Sequence, residues 1–210
     1  MSSRSLELAL RKGLQRLSLT VSDQQISQLL DYMSLLEKWN GAYNLTSIRE
    51  PEKMLRLHLL DSLSIAPFVK GERIIDVGTG PGLPGIPLSI IYPERQFMLM
   101  DSNGKKTRFL FQVRSVLGLN NVNEVQSRVE EYQPETPFDG VISRAFTSLQ
   151  QMVEKCAHLV GESGRFYAMK GQYPTEELSA LSKHYNVVAL HQLRVPGVDG
   201  ERHLIEITPC

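Results

Sequence analysis

Cysteine is nearly missing from this sequence. Cys156 and Cys210 are the two present, too few for a disulfide framework and too far apart for a metal site, which implies a reducing compartment and no metal cofactor. An excess of charge is missing too. Lysine plus arginine number 23 and aspartate plus glutamate 23, so composition alone argues for no polyanionic partner, and nucleic-acid binding would need a local patch. No apolar run reaches membrane length, and Arg4, Arg11, Lys12 and Arg16 interrupt the leucines of the first twenty residues, which excludes a signal-peptide core there. Repeats are lacking as well. A soluble, cytoplasmic protein without a membrane partner is therefore expected. With 210 residues and 41% apolar content, the chain has enough material for one main domain with an appendage.

What is present centres on the stretch from Ile74 to Pro87, where an apolar run ends in Asp76 and then turns through Gly78, Gly80, Gly82 and Gly85. Glycines tolerate positive φ and leave no side chain between main-chain N–H groups and a ligand, so the segment reads as strand, ligand-cradling turn and helix start. Two ligand classes fit. Counted from Gly80 the glycines satisfy G-x-G-x-x-G, the dinucleotide pattern of oxidoreductases; counted from Asp76 they satisfy D-x-G-x-G-x-G, the loop of S-adenosylmethionine (SAM) enzymes. The second reading is favoured by Asp76, whose carboxylate stands at the strand end to accept from the turn's amides or, through water, from an ammonium-bearing ligand.

Upstream of the loop the pattern is helical. Leu6, Leu10, Gly13, Leu14 and Leu17 recur at helical spacing between basic residues. A second helix starts with a capping box at Ser22 and Gln25, carries the stripe Ile26, Leu29, Leu30, Met33, Leu36, and is expected to stop at Asn40-Gly41. Trp39 and Tyr43 at its end either complete a small core or stack on a base. Pro51 opens a third helix that puts His58 and Asp61 on one face. Residues 1–66 read as a helical extension and 67–210 as the catalytic domain.

From Arg73 strands and helices alternate, the signature of parallel strands with crossover helices. Strands are predicted over 73–77, 96–101, 121–126, 138–143 and 164–169, with helices near 85–92, 104–117, 148–159 and 175–183. Val187–Leu190 and Leu204–Ile207, separated by Pro196-Gly197 and Asp199-Gly200, predict a closing antiparallel hairpin. Such a sheet binds ligands beyond the carboxyl ends of its strands. Asp101 ends the second strand, where a carboxylate accepts from ribose hydroxyls in SAM and NAD sites alike. Val129 and Glu130 follow the third strand, and Arg144 follows the fourth. Cys156 falls inside an amphipathic helix and reads as core rather than as a nucleophile.

Together Asn44-Leu45-Thr46, His58 with Asp61-Ser62-Leu63, the Asp76–Pro87 loop, Asp101-Ser102 with Lys105-Lys106, Arg128-Val129-Glu130, Ser143-Arg144-Ala145 and Met169-Lys170-Gly171 resemble the bacterial small-subunit ribosomal RNA methyltransferase G family, also called glucose-inhibited division protein B. The resemblance spans about residues 20 to 205. It implies an α/β, Rossmann-like SAM-dependent methyltransferase fold with N-terminal helices, and methylation at N7 of the guanine conventionally numbered 527 in 16S ribosomal RNA, free or within the 30S subunit, by a monomer. Carried over by position, SAM contacts fall on Gly78, Leu83, Val129, Glu130 and Arg144, with Asp101 as the ribose acid and Asp76, Gly80 and Gly82 from the loop. No catalytic base is implied, because N7 carries a lone pair already; Arg144, Lys170 and His58 are left as candidates for positioning the substrate. Thr79, Pro81 and Leu83 stand where members often show Ser, Ala and Phe, which bears on fine contacts and leaves the glycines intact. A methyltransferase for another RNA, a protein or a small molecule would share most of these features, and a dinucleotide-dependent oxidoreductase would share the loop.

Overall fold

The computed structural model describes residues 3–210, and its elements form around a seven-stranded sheet. The strands are β1 (Arg73–Val77), β2 (Gln96–Asp101), β3 (Val122–Gln126), β4 (Phe138–Ser143), β5 (Val160–Lys170), β6 (Tyr185–Gln192) and β7 (His203–Pro209), in the order β3-β2-β1-β4-β5-β7-β6. The first five run parallel, whereas β7 is antiparallel to both β5 and β6. The expected hairpin is thus present, with its second strand inserted between β5 and β6. The strand order reverses between β1 and β4, and an open sheet splits there to leave a crevice at its carboxyl edge.

Both sheet faces are covered, so the central strands read as nearly continuous apolar runs. Alternation along β1 sends Ile74 to one core, with Leu99, Ile142, Leu204 and the N-terminal helices, and Ile75 and Val77 to another, with Val141, Phe166, Met152 and Val153. The helices are α1 (Ser3–Arg16), α2 (Asp23–Tyr43), α3 (Pro51–Met54), α4 (Asp61–Leu63), α5 (Gly85–Ile91), α6 (Gly104–Leu117), α7 (Leu149–Cys156) and α8 (Thr175–Ser179). Leu55–Leu60, between α3 and α4, is π-helical, so the third predicted helix carries a bulge in its middle. The helix expected near 148–159 gives way to a 3₁₀ turn over Ala157–Leu159. Cys156 is fully buried, and burial pushes its thiol up to about 12, in keeping with a core residue.

Helix α2 ties several of these elements together. Its capping box forms as read, with the Ser22 hydroxyl accepting from the Gln25 amide and the Gln25 side chain accepting from the Ser22 amide. The Gln25 side chain also donates to the carbonyls of Ile90 and Ile91 at the end of α5, and Gln28 donates to that of Leu117 at the end of α6. The helix passes the expected stop at Asn40-Gly41 and ends at Tyr43. Asn44, at φ 50°, takes the left-handed cap. The physical reason is Asn40: its buried side chain accepts from the Thr46 amide and donates to the Ile48 carbonyl, so it ties the following loop to the helix instead of ending it. Among the described residues no helix is long and apolar enough to cross a membrane, and no group of three or more potential metal ligands converges.

Candidate active site

The glycine turn hangs from its neighbours by its backbone. The amides of Gly78 and Thr79 donate to the Met100 carbonyl at 2.9 and 3.0 Å, and the Gly80 amide donates to Asp101 Oδ2 at 2.9 Å. Asp76 is fully buried under the turn: its Oδ2 accepts from the Thr79 hydroxyl (2.6 Å) and the Gly85 amide (2.8 Å), while Oδ1 has no donor. Burial raises its pKa to about 6, against the opposing pull of those two bonds and of Arg144. Glycine is required at two points for different reasons. At Gly78 (φ 69°) a Cβ would meet the Ala145 Cβ at 2.6 Å, whereas at Gly80 (φ 64°) it would meet nothing within 4 Å. The turn therefore presses against the loop after β4 at one glycine and keeps an open side at the next.

A cavity of about 340 Å³ lies at the carboxyl ends of β1 to β4, lined by Gly78, Asp101, Ser102, Val129, Glu130 and Phe146 among others. Asp101 is buried, and besides Gly80 it accepts from the Asn103 amide (2.9 Å) and Lys106 Nζ (3.3 Å). Val129 is buried and Glu130 pairs with Lys155 at 2.7 Å, which holds the glutamate's pKa below its usual value. Leu83 is buried beneath the turn rather than lining this cavity.

Arg144 leads to a second cavity, of about 170 Å³, lined by Asp61, Arg144, Met169, Lys170, Arg202 and His203 among others. Here two guanidiniums grip one carboxylate: Arg144 Nη1 donates to Asp61 Oδ2 at 3.2 Å and Arg202 Nε to Oδ1 at 3.1 Å. Lys170 Nζ pairs with Glu177 at 2.8 Å and reaches the Phe146 carbonyl at 3.3 Å, bracing the loop after β4. His58 shares its helical face with Asp61 but bonds elsewhere. Its Nδ1 lies 3.1 Å from the Leu57 carbonyl and its Nε2 2.9 Å from the Thr46 hydroxyl, which itself accepts from the Ile48 amide. That pattern assigns the proton to Nδ1 and makes Nε2 an acceptor. Burial and the nearby Arg144 charge lower the His58 pKa to about 4, so the ring is neutral at neutral pH.

The structure thus gathers Gly78, Asp101, Val129 and Glu130 at one cavity and Arg144 and Lys170 at the next, with His58 behind them as a brace for residues 46–48. Sequence reasoning missed two participants. Tyr32 sits fully buried on the apolar stripe of α2, and its hydroxyl donates to the Pro81 carbonyl at 2.8 Å, clamping the glycine turn; its place on the stripe was readable, its partner was not. Arg202 is 141 residues from Asp61 and carries no local signal.

A parallel sheet closed by an antiparallel β7 between β5 and β6, with a glycine turn and an acid at the ends of β1 and β2, defines a SAM-dependent methyltransferase and not the all-parallel dinucleotide fold. Solved structures agree on that fold: a SAM-dependent methyltransferase from Aquifex aeolicus (15% identity, TM-score 0.57, covering 75% of this chain and 93% of that one) and M. jannaschii TYW2 in complex with AdoMet (14% identity, TM-score 0.55, 71% and 75%). The model of the GidB family, described as rRNA small subunit methyltransferase G, matches residues 25–205. The Ribosomal RNA small subunit methyltransferase G of Escherichia coli is 58% identical over 189 residues, covering 90% of this chain and 91% of that protein. The chain belongs to the rRNA small subunit methyltransferase G (GidB) family, and its cofactor is S-adenosylmethionine.

The residues present fit that cofactor. A glycine whose missing Cβ leaves open space, and a carboxylate at the end of β2 on the cavity wall, meet the demands of a close backbone approach and of a ribose.

Proposed function

We propose that this chain methylates N7 of a guanine in 16S ribosomal RNA, the one conventionally numbered 527, as a monomer acting on free RNA or on the 30S subunit. Residues 1–66 are the helical extension and 67–210 the catalytic domain of this reading. The observation that carries it is the second cavity: Arg144, Lys170 and Arg202 stand around it beside His203, and the carboxylates there, Asp61 and Glu177, are each held by a cation, so no carboxylate is left to serve as a base. Guanine N7 asks for nothing more. Its lone pair exists in the neutral base, and a cationic donor on O6 orients the ring without touching that lone pair.

In this reading Asp101 accepts from the ribose hydroxyls of the cofactor. Gly78, Gly80 and Gly82 let the backbone approach its amino-acid end, and Asp76 and Leu83 support the turn from beneath. Val129 and Glu130 bound the adenine. When bound, the cofactor would supply an electrophilic methyl on a sulfonium, which the N7 lone pair could accept without prior loss of a proton. Arg144 and Lys170 hold the base edge and its phosphate, and His58 keeps the loop beside them in place. Catalysis then rests on alignment and exclusion of water.

Incubating the protein with methyl-labelled SAM and naked 16S RNA, 30S subunits or total protein tests this. Label should enter 16S RNA, and borohydride reduction followed by aniline should cleave the chain at one methylated guanine. Single-turnover transfer should be nearly constant from about pH 6.5 to 8.5, the range in which a working histidine base would titrate. Label in protein, or a sigmoid pH profile abolished by His58→Ala, would overturn it.

A further inference from the structure

Helix α2 climbs the molecule from bottom to top. Near its start Gln28 reaches the Leu117 carbonyl, the last residue of α6; Tyr32 is level with the glycine turn through its bond to Pro81; and Trp39 packs on Phe109, ring centroids 5.6 Å apart. The two helices therefore run antiparallel. At 1.5 Å per residue, Tyr43 stands roughly 16 Å beyond Tyr32, past the glycine turn and level with the first turn of α6. That first turn carries Lys105 and Lys106, and Lys106 is the one paired with Asp101 at the cofactor cavity.

Tyr43 is not core. It is 43% exposed, with its ring stacked on Trp39 at 5.2 Å between centroids and 29° between planes, while Trp39 in turn backs onto Phe109 and the hydrophobic core. One ring face is braced and the other is available. The cations nearest in sequence and helix level are Lys38, Arg49, Lys105 and Arg108; of the acids flanking them, Glu50 is held by Lys53 and Asp101 by Lys106. Arg49 is held by the side chain of Asn44, next to Tyr43. An aromatic face backed by a second ring, with lysine and arginine side chains on the adjoining loop and helix turn, is what unpaired RNA uses for binding, through base stacking with backbone neutralisation.

We infer that Tyr43, braced by Trp39, is a stacking platform for an unpaired purine of the RNA strand that carries the target guanine, with Arg49, Lys105 and Arg108 on the flanking phosphates. The inference rests on the RNA reading above and adds an interaction surface that the two cavities do not contain. Tyr43 anchors the strand and takes no part in methyl transfer.

Trp39 is the single tryptophan of the chain, so it reports on its own neighbour. Titrating the full-length protein with a purine-containing single-stranded oligoribonucleotide at low salt should quench or shift Trp39 fluorescence. Tyr43→Ala should weaken that binding by roughly tenfold, the range of one lost base–aromatic stack, and Tyr43→Phe should restore it. In methyl-transfer assays Tyr43→Ala should raise KM for 16S RNA by a similar factor, with kcat and SAM affinity unchanged and the melting temperature within a few degrees of wild type. Wild-type methylation of RNA together with unchanged KM and oligonucleotide affinity in Tyr43→Ala would overturn the platform and leave the RNA reading standing. Wild type that neither methylates RNA nor responds in fluorescence would overturn both. A fall in kcat that Tyr43→Phe does not rescue would assign Tyr43 to the reaction centre instead.

Discussion

Asp101 shows how one carboxylate serves the turn and the ligand together. It accepts from two backbone amides and one ammonium, three of about four lone-pair positions, so binding a ribose diol requires it to share or exchange the Lys106 contact at 3.3 Å, the longest of the three. Replacing it with alanine removes charge-assisted hydrogen bonds worth about 1.5 to 3 kcal/mol, and SAM affinity measured by calorimetry should fall roughly tenfold to a hundredfold. The same change leaves the Gly80 and Asn103 amides without acceptors, so Asp101→Ala should also lower the melting temperature. Asp101→Asn, which keeps an acceptor oxygen, should lose affinity with a smaller thermal shift. A folded Asp101→Ala protein that binds SAM like wild type would remove Asp101 from the cofactor site.

Within the loop from β1 to α5 the glycines divide the work, and two single methyl groups should separate it. Gly80→Ala places a Cβ in open space at a backbone φ of 64°, which costs an L-residue about 1–2 kcal/mol; the fold should survive with a modest drop in melting temperature, and SAM affinity should fall because the methyl occupies the turn's open side. Gly85→Ala places its Cβ against Leu99 Cδ2 and 2.9 Å from Asp76 Oδ2, in the close packing of helix on strand. Overpacking of that kind costs about 1–3 kcal/mol, so this variant should lose stability first and affinity as a result. Thermal melts beside SAM titrations decide it. Equal losses in both measurements for both variants would mean that the turn responds as one rigid unit. Helix α2 belongs to the same scale: Gln25, Gln28, Tyr32 and Asn40 each bond a different segment, so an element outside the sheet sets the position of the turn.

At the scale of the whole molecule, two buried groups pull stability in opposite directions with pH. His58 is held near 4 in the fold and titrates near 6.5 when unfolded, so between those values the unfolded chain binds a proton that the fold refuses, and stability rises with pH. Asp76 is raised to about 6 from 3.8, so between those values the fold binds a proton that the unfolded chain has lost, and stability falls as pH rises. Asp61 is also raised, by burial working against Arg144 and Arg202, and adds to the falling side. The opposing slopes overlap from about pH 4 to 6. Removing the histidine should expose the carboxylates: in His58→Gln the unfolding free energy, measured in urea at several pH values, should drop relative to wild type progressively as pH rises from 4 to 6.5. A wild-type-minus-variant difference that stays constant across that window would mean that His58 titrates normally.

Much of the fold was written locally. The strand–helix alternation, the capping box at Ser22, the hairpin around Pro196-Gly197 and Asp199-Gly200, and the glycine turn after Asp76 all depend on neighbours a few residues apart, and each appears where the pattern put it. The end of α2 depended instead on Asn40 finding Thr46 and Ile48, and the bulge at Leu55–Leu60 on helix packing that no periodicity announces. The chemistry of the site divides the same way. Residue types at strand ends marked Asp101, Glu130 and Arg144, because the carboxyl edge of a parallel sheet is fixed by topology. Tertiary structure alone decided that Arg144 and Arg202 share Asp61, that Tyr32 clamps Pro81, and that Trp39 packs on Phe109, since these contacts join segments whose separation in sequence carries no trace of their distance in space.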